Sequence, residues 1–286
     1  MPSVSLTDRA LVRVAGPDAE HFLQNIVTAD LTDMPDGALK PCALLTPQGK
    51  IMFDFLIARD GADAFLLDVR ADVADDLVRR LMLYKLRAKA EISKPDQQVA
   101  TVEWETDSGS SESDSTGVFR DLRFLARLVW RRYGDIAASS DRAAWDLLRI
   151  ENGVAESGAD YQLSDAFPHD VLLDQNGGVG FKKGCYVGQE VVSRMQHRGT
   201  ARRRVLVVRG DGPLPASGTD ITANGRSIGT LGTVVGTEGL AIARIDRVKE
   251  AIDAGVPILA GDVALALSIP PQATFAFPDD AVAGDA

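Results

Sequence analysis

The chain is poor in the residues that disulfide frameworks and metal centres need. Its 286 residues include two cysteines, Cys42 and Cys185, three histidines, and no C-x-x-C pair. Two thiols exclude a disulfide scaffold and suit a reducing compartment, so a cytoplasmic location is expected. A stably bound metal or cluster is not expected either: His197 alone lies near Cys185, while His21 and His169 are remote in sequence. No run of 18 apolar residues occurs, so no membrane span is expected. The opening MPSVSLTDRALVRVAG lacks the basic-then-apolar pattern of a secretory leader. Positive charge is also short, with 31 Lys and Arg against 41 Asp and Glu. The net −10 would repel nucleic acid and anionic membrane.

What is present reads as an ordinary globular protein, 45% hydrophobic and 25% charged, and long enough for two or three packed modules. Leu11–Val14 reads as a strand, Gly16-Pro17 ends it, and Asp18 is placed to cap a helix carrying Phe22, Leu23, Ile26 and Val27. Strands at Ala43–Thr46, Lys50–Ala58 and Ala64–Val69 are separated by the turn signals Pro47-Gln48-Gly49 and Asp60-Gly61. Asp72 opens a helix with Val73, Leu77, Leu81 and Tyr84 on one face, followed by strands near Ala88–Ile92 and Val99–Trp104. The polar Glu105–Gly117 reads as a solvated loop. A strand at Phe124–Trp130 and a helix from Asp141 complete an α+β region of split βαβ character. From Val205 onward, short glycine-punctuated strands (Val205–Val208, Asp220–Ala223, Ser227–Val235, Leu240–Ile245, Val263–Ile269) predict a small antiparallel barrel. Asn224-Gly225 within them is a type I′ hairpin signal. The tail after Pro271 is expected to be loose.

Charge is unevenly spread. Lys182–Arg204 holds seven basic residues and one acid, Glu190, so this stretch is +6 and the remainder −16. At its head stands Lys182-Lys183-Gly184-Cys185-Tyr186-Val187-Gly188-Gln189-Glu190. A helix starting near Val187 would bury Val187, Val191 and Met195, pair Glu190 with Arg194, and present an anion-binding N-terminus beside the lysines. The nearby cations would favour a thiolate at Cys185. The same glycines equally suit a packing elbow in which Cys185 is a small buried hydrophobe. Arg198 is the arginine expected to touch a ligand, whereas Arg203 and Arg204 read as a solvated lead into the barrel. Cys42, Trp104, Trp130 and Trp145 read as packing residues.

The string F-K-K-G-C-Y-V-G-Q-E at 181–190 resembles the signature of the YgfZ/GcvT family of folate-binding proteins, in the branch linked to iron–sulfur cluster maintenance. Arg13–Asp30, Thr46–Ile51, Tyr84–Arg87, Arg149–Gly153 and Pro168-His169-Asp170 carry further similarity, which spans residues 5 to 270. The resemblance implies a three-lobed, aminomethyltransferase-like α+β fold: two lobes within 1–200, a ferredoxin-like one near 40–130 among them, a C-terminal β-barrel at 201–272, and a tail at 273–286. It implies tetrahydrofolate or a one-carbon derivative as ligand, and transient iron–sulfur client or assembly proteins as partners. The residues it assigns to folate are Asn25, Thr28, Met52, Asp170, Lys183, Gly184, Tyr186, Gly188, Gln189, Glu190 and Arg198, with Cys185 a redox or sulfur-handling thiol. In the family's P-x-E motif a glutamate grips the pterin; Asp170 stands there, one methylene shorter. Related aminomethyltransferases carry an aspartate on the strand where this chain reads Arg87–Ser93, with Glu91 its one carboxylate. Ordinary aminomethyl transfer is therefore not expected. Its revival would need Glu91, Asp96 or Asp170, and an RNA- or protein-docking role for the basic stretch is the third reading.

Overall fold

The computed structural model describes residues 1–32, 34–96, 99–105, 117–134 and 137–278. Most of the acidic Glu105–Gly117 stretch therefore lies outside the described residues. The chain opens with β1 (Ser3–Leu6), β2 (Arg9–Ala15) and the short α1 (Ala19–Gln24). Asp18 precedes α1 without capping it; its carboxylate instead accepts from the Lys89 amide at 2.7 Å, tying α1 to the chain after the second helix. The expected hairpin strands are β3 (Ala38–Leu45), β4 (Ile51–Arg59) and β5 (Ala64–Arg70). A 3₁₀ turn then leads into α2 (Ala74–Lys85), followed by β6 (Glu91–Ser93) and β7 (Ala100–Trp104). Phe124–Trp130 is largely a loop. The strands around it are β8 (Val118–Asp121) and β9 (Val129–Tyr133), the second ending well past Trp130. Asp141 does cap α3 (Arg142–Glu151), accepting from the Ala144 amide at 3.0 Å.

These nine strands run in the order β1-β7-β9-β8-β3-β4-β5-β2-β6, antiparallel except for the β3–β8 pair. The order forces curvature. β1 and β2 stand seven spacings apart, about 34 Å if the sheet were flat. The chain from Leu6 to Arg9 spans at most about 11 Å. The sheet must therefore fold round until its two arms face each other. Helices α1 and α2 pack on one arm through Phe22, Leu23, Leu77 and Leu81. On the other, α3 buries Trp145 against Phe124 and Trp104.

The interior of the curl is ionic. Asp68 on β5 accepts from Arg9 on β2 at 2.6 Å, Arg131 on β9 at 2.8 Å and the Tyr133 hydroxyl at 2.9 Å. Arg131 also reaches Asp121 on β8 at 3.1 Å, which Arg123 grips at 2.7 Å. Arg123 and Arg149 then meet Glu156 at 3.4 and 3.5 Å, and Arg149 reaches Asp160 at 2.9 Å. All these groups are buried or nearly so. Burial by itself would raise the carboxyls of Asp68, Asp121 and Glu156; the surrounding guanidiniums outweigh it and hold all three below the ordinary carboxylate range.

After an irregular stretch and α4 (Gln189–Arg198) come the barrel strands β10 (Arg203–Gly210), β11 (Asp220–Ala223), β12 (Arg226–Val235) and β13 (Glu238–Arg244). Then α5 (Ile245–Asp253) covers the barrel, and β14 (Ile258–Ala260) and β15 (Val263–Ser268) close it in the order β10-β13-β12-β11-β14-β15. Asn224 and Gly225 both have positive φ, 49° and 71°, as the I′ hairpin requires. The stretch from Arg244 onward gave no expectation of α5, although its apolar face (Ile245, Val248, Ala251) sits on the barrel core. The tail is packed rather than loose through Phe275, which lies against the barrel core and a second core built from Leu45, Ile51, Val179 and Tyr186. No helix among the described residues is long and apolar enough to cross a membrane.

Asp68→Asn takes the paired carboxylate from Arg9 and leaves Arg131 with Asp121 alone, so a loss of about 3–5 kcal/mol in urea unfolding at neutral pH is expected. Because folding holds Asp68 below its ordinary value, its stabilisation is present above about pH 4 and lost as the pH falls further. Wild type and variant should converge there.

Candidate functional site

The K-K-G-C-Y-V-G-Q-E string forms a turn that buries Lys183 and Tyr186 and exposes the residues between them. Lys183 turns inward, its ammonium donating to the carbonyls of Val27 at 2.8 Å and Ala29 at 2.7 Å, with the buried Tyr186 ring 5.2 Å away. Burial lowers Lys183 to about 8, opposed by the charges of Cys42 and Asp30, and raises Tyr186 to about 12. Thr28 knots the same place, donating to the Gly178 carbonyl at 2.7 Å and accepting from the Ala43 amide at 2.9 Å. Between the two anchored side chains, Gly184 and Cys185 face solvent. The thiol is thus an exposed group on a pinned turn, and Lys183 is spent on carbonyls rather than offered to an anion.

Gly188 shows why glycine is needed at the end of the turn. Its φ is +80°, and a Cβ there would sit 2.6 Å from the Thr46 carbonyl oxygen. Across from it, Gly49 has φ +81°, and its Cβ would meet Val191 at 2.9 Å. The Thr46–Lys50 turn and the start of α4 therefore interlock through two glycines, which closes the helix N-terminus expected to be open for an anion. Because Gly188 is left-handed, α4 begins at Gln189 and buries Val192, with Val191 and Met195 only half-buried. Glu190, Arg194 and Arg198 are exposed, and Gln189 accepts from the Tyr186 amide at 3.4 Å.

The basic stretch does not act as one patch. Arg204, expected to be solvated, is buried and paired with Asp174 at 2.8 Å, and Arg203 reaches Asp165 at 3.2 Å. Asp170 is 1% exposed and caps its own 3₁₀ turn, Pro168–Val171, by accepting from the Phe167 amide at 3.1 Å. Burial pushes its carboxyl up to about 6, against the pull of that amide and of Arg203 at 3.8 Å.

A slot opens elsewhere, between β4, residues 153–161, residues 171–176 and the tail. Asp54, Phe55, Leu56, Val154, Tyr161 and Leu173 line it, with Arg9 and Arg123 of the ionic interior at its floor. Its free volume is about 40 Å³. Asp54 is half-buried beside Tyr161, whose phenol is raised well above its ordinary value by burial and then by the Asp54 carboxylate. Among the described residues no ion pair joins Asp54, in contrast to Arg9 and Arg123.

None of the residues assigned to folate by resemblance lines this slot. Thr28, Lys183, Tyr186, Gly188 and Gln189 build the turn. Asn25 is exposed and bonded to the His21 carbonyl at 2.8 Å, and Met52 packs on the first core. Glu91 and Asp96 are exposed, and neither lines the slot. Asp54 left one trace in the sequence, a single carboxylate inside the apolar run Ile51–Ala58. Tyr161 left none, since it lies in irregular chain. Among the described residues no cluster of three His, Cys, Asp or Glu is placed to hold a metal.

Two outcomes follow. Iodoacetamide should modify Cys185 rapidly in the native chain and the buried Cys42 far more slowly, giving one and then two adducts by mass spectrometry. Asp170→Asn should be the more stable protein above pH 6: the raised carboxyl is neutral in the fold at low pH and weakens folding as the pH climbs from about 4 to about 6. The gap should reach at most about 3 kcal/mol in urea titrations.

The family model described as the GCVT N-terminal domain matches residues 4–104, and that described as the CAF17 C-terminal beta-barrel domain matches residues 202–275. The crystal structure of the glycine cleavage system aminomethyltransferase T from Bartonella henselae superposes with a TM-score of 0.74 over 95% of this chain and 86% of that one. At 17% identity it establishes the fold alone. The iron-sulfur cluster assembly factor IBA57, mitochondrial, of Mus musculus is 32% identical, covering 85% of this chain and 78% of its own length. The Homo sapiens protein of the same name is 31% identical, covering 93% and 83%. Both names say mitochondrial, which overturns the cytoplasmic expectation. Two unpaired cysteines fit any reducing compartment, so their number does not tell one from another. At these identities and coverages, the chain belongs to the family of the iron–sulfur cluster assembly factor IBA57.

Proposed function

We propose that this protein is an iron–sulfur cluster assembly factor that presents Cys185 to a partner protein and holds a reduced folate in the slot. The observation that carries the first half is the exposed thiol on a turn pinned by Lys183, Tyr186 and the two interlocked glycines. A sulfur fixed in place but open to solvent suits a ligand or nucleophile offered across an interface, where a partner supplies the remaining groups. The cluster is cargo: the chain's own donors are too few to keep it. The family relationship, through relatives named as assembly factors, supports the same reading.

For the folate, the donor chemistry of the slot fits. Phe55, Leu56 and Val154 offer apolar walls to a flat ring, and Asp54, which has no ion-pair partner among the described residues, can accept from the donor edge of a pterin. Tyr161 stands beside that carboxylate in the slot wall. When bound, a reduced folate would supply a one-carbon carrier. The chain's part is to orient the ring and keep water out.

Isothermal titration with tetrahydrofolate should show binding that weakens about 10- to 100-fold in Asp54→Asn, the effect of losing a charged acceptor. Cys185→Ser should leave that binding intact while failing to restore iron–sulfur enzyme activity in cells lacking their own factor. Absence of folate binding removes the second half, and full restoration by Cys185→Ser removes the first.

A further inference from the structure

We propose that residues 270–277 form a strap that gates the slot, with Gln272 as its latch. This rests on the slot being a ligand site, as read above, and adds how that site opens.

The strap leaves the last barrel strand and crosses the slot mouth. Gln272 and Ala273 are themselves slot-lining residues. The Gln272 amide donates to the Asn152 carbonyl, and its oxygen accepts from the Leu125 amide at 3.3 Å, so one side chain bridges both rims. Next to it, Gln175 of the opposite wall accepts from the Thr274 amide at 2.7 Å and the Thr274 hydroxyl at 3.2 Å. The two ends are fastened by packing. Pro270 lies on Gly153, where an added Cβ would come within 2.5 Å, and Phe275 sits between the second core and the barrel core under the Arg204 guanidinium at 5.1 Å.

Between those ends, no strand ladder holds the segment; the slot-spanning bonds come from glutamine side chains. Such a segment opens locally at a small fraction of the global unfolding free energy. Pro270 and Pro271 stiffen its root, so it swings as a lever instead of fraying. With the strap down, the slot's free volume of about 40 Å³ is far below what any ring-sized ligand needs. A ligand therefore enters when Gln272 lets go.

Cys42 is a buried slot-wall thiol and gives a readout that needs no ligand. In a Cys185→Ser protein, Cys42 alkylation by iodoacetamide should run about 3- to 10-fold faster in Gln272→Ala than in its parent, the shift expected from losing one or two hydrogen bonds. Tetrahydrofolate association should quicken by a similar factor. Trp145→Phe weakens the core far from the strap. If it speeds Cys42 alkylation as much as Gln272→Ala does, labelling reports global unfolding and the strap is refuted. Unchanged labelling in Gln272→Ala also refutes it. Faster labelling with no folate binding in any variant upholds the gate and removes folate as the slot's ligand.

Discussion

Four arginines and four carboxylates, sealed inside a curled sheet, set the terms for everything else in this molecule. A sheet whose first strand must return to within a few residues of its eighth needs something between its two arms, and here that filling is ionic. Asp68 from one arm and Arg131 from the other meet at 2.8 Å, and the chain of pairs continues through Asp121, Arg123 and Glu156 to Arg149. Burying charge is expensive, and an apolar filling would often hold as well. What ion pairing adds is interdependence: each group is tolerable only while its neighbours stay where they are. The curl is therefore held in one arrangement. Arg149 extends that constraint beyond the sheet by donating to Thr233 on β12, which docks the barrel.

The two features with chemical potential sit at the margins of this rigid body, and they divide the work. One is an exposed thiol on a turn, positioned by a buried lysine. The other is a narrow slot whose floor is the ionic interior itself and whose walls come from both lobes and the tail. β3 serves both: it lies between the Thr28 knot behind the turn and the slot wall at Cys42. The exposed thiol and the slot thus stand side by side on one scaffold without sharing a group.

Much of the architecture was legible in the chain because it rests on local signals. Asn224-Gly225 dictates its hairpin, Asp141 caps its helix, and glycine punctuation outlines the barrel. Helix α5 was missed because a run of strands masked its 3.6-residue period. The site was less legible. The signature at 182–190 was read as a ligand cradle, yet Lys183 and Tyr186 point inward. Whether a lysine faces solvent or a pair of carbonyls depends on residues 27–29, over 150 positions away. Arg204 was read as solvated because Asp174, its partner, lies 30 positions upstream with no pattern linking them. The ionic interior was invisible for the same reason: Arg9, Asp68, Arg131 and Glu156 are ordinary residues until topology brings them together.

The sheet order has a consequence for how the protein is made. β1 pairs with β7, so Val4 and Leu6 have no partner until about residue 104 has been synthesised, whereas β2 can meet β5 by residue 70. At ribosomal rates of about 5–20 residues per second, the N-terminal strand waits several seconds with its apolar face uncovered. Completion of the first arm precedes completion of the second, which waits for β8 and β9 up to about residue 133. Long-range pairing of this kind folds slowly.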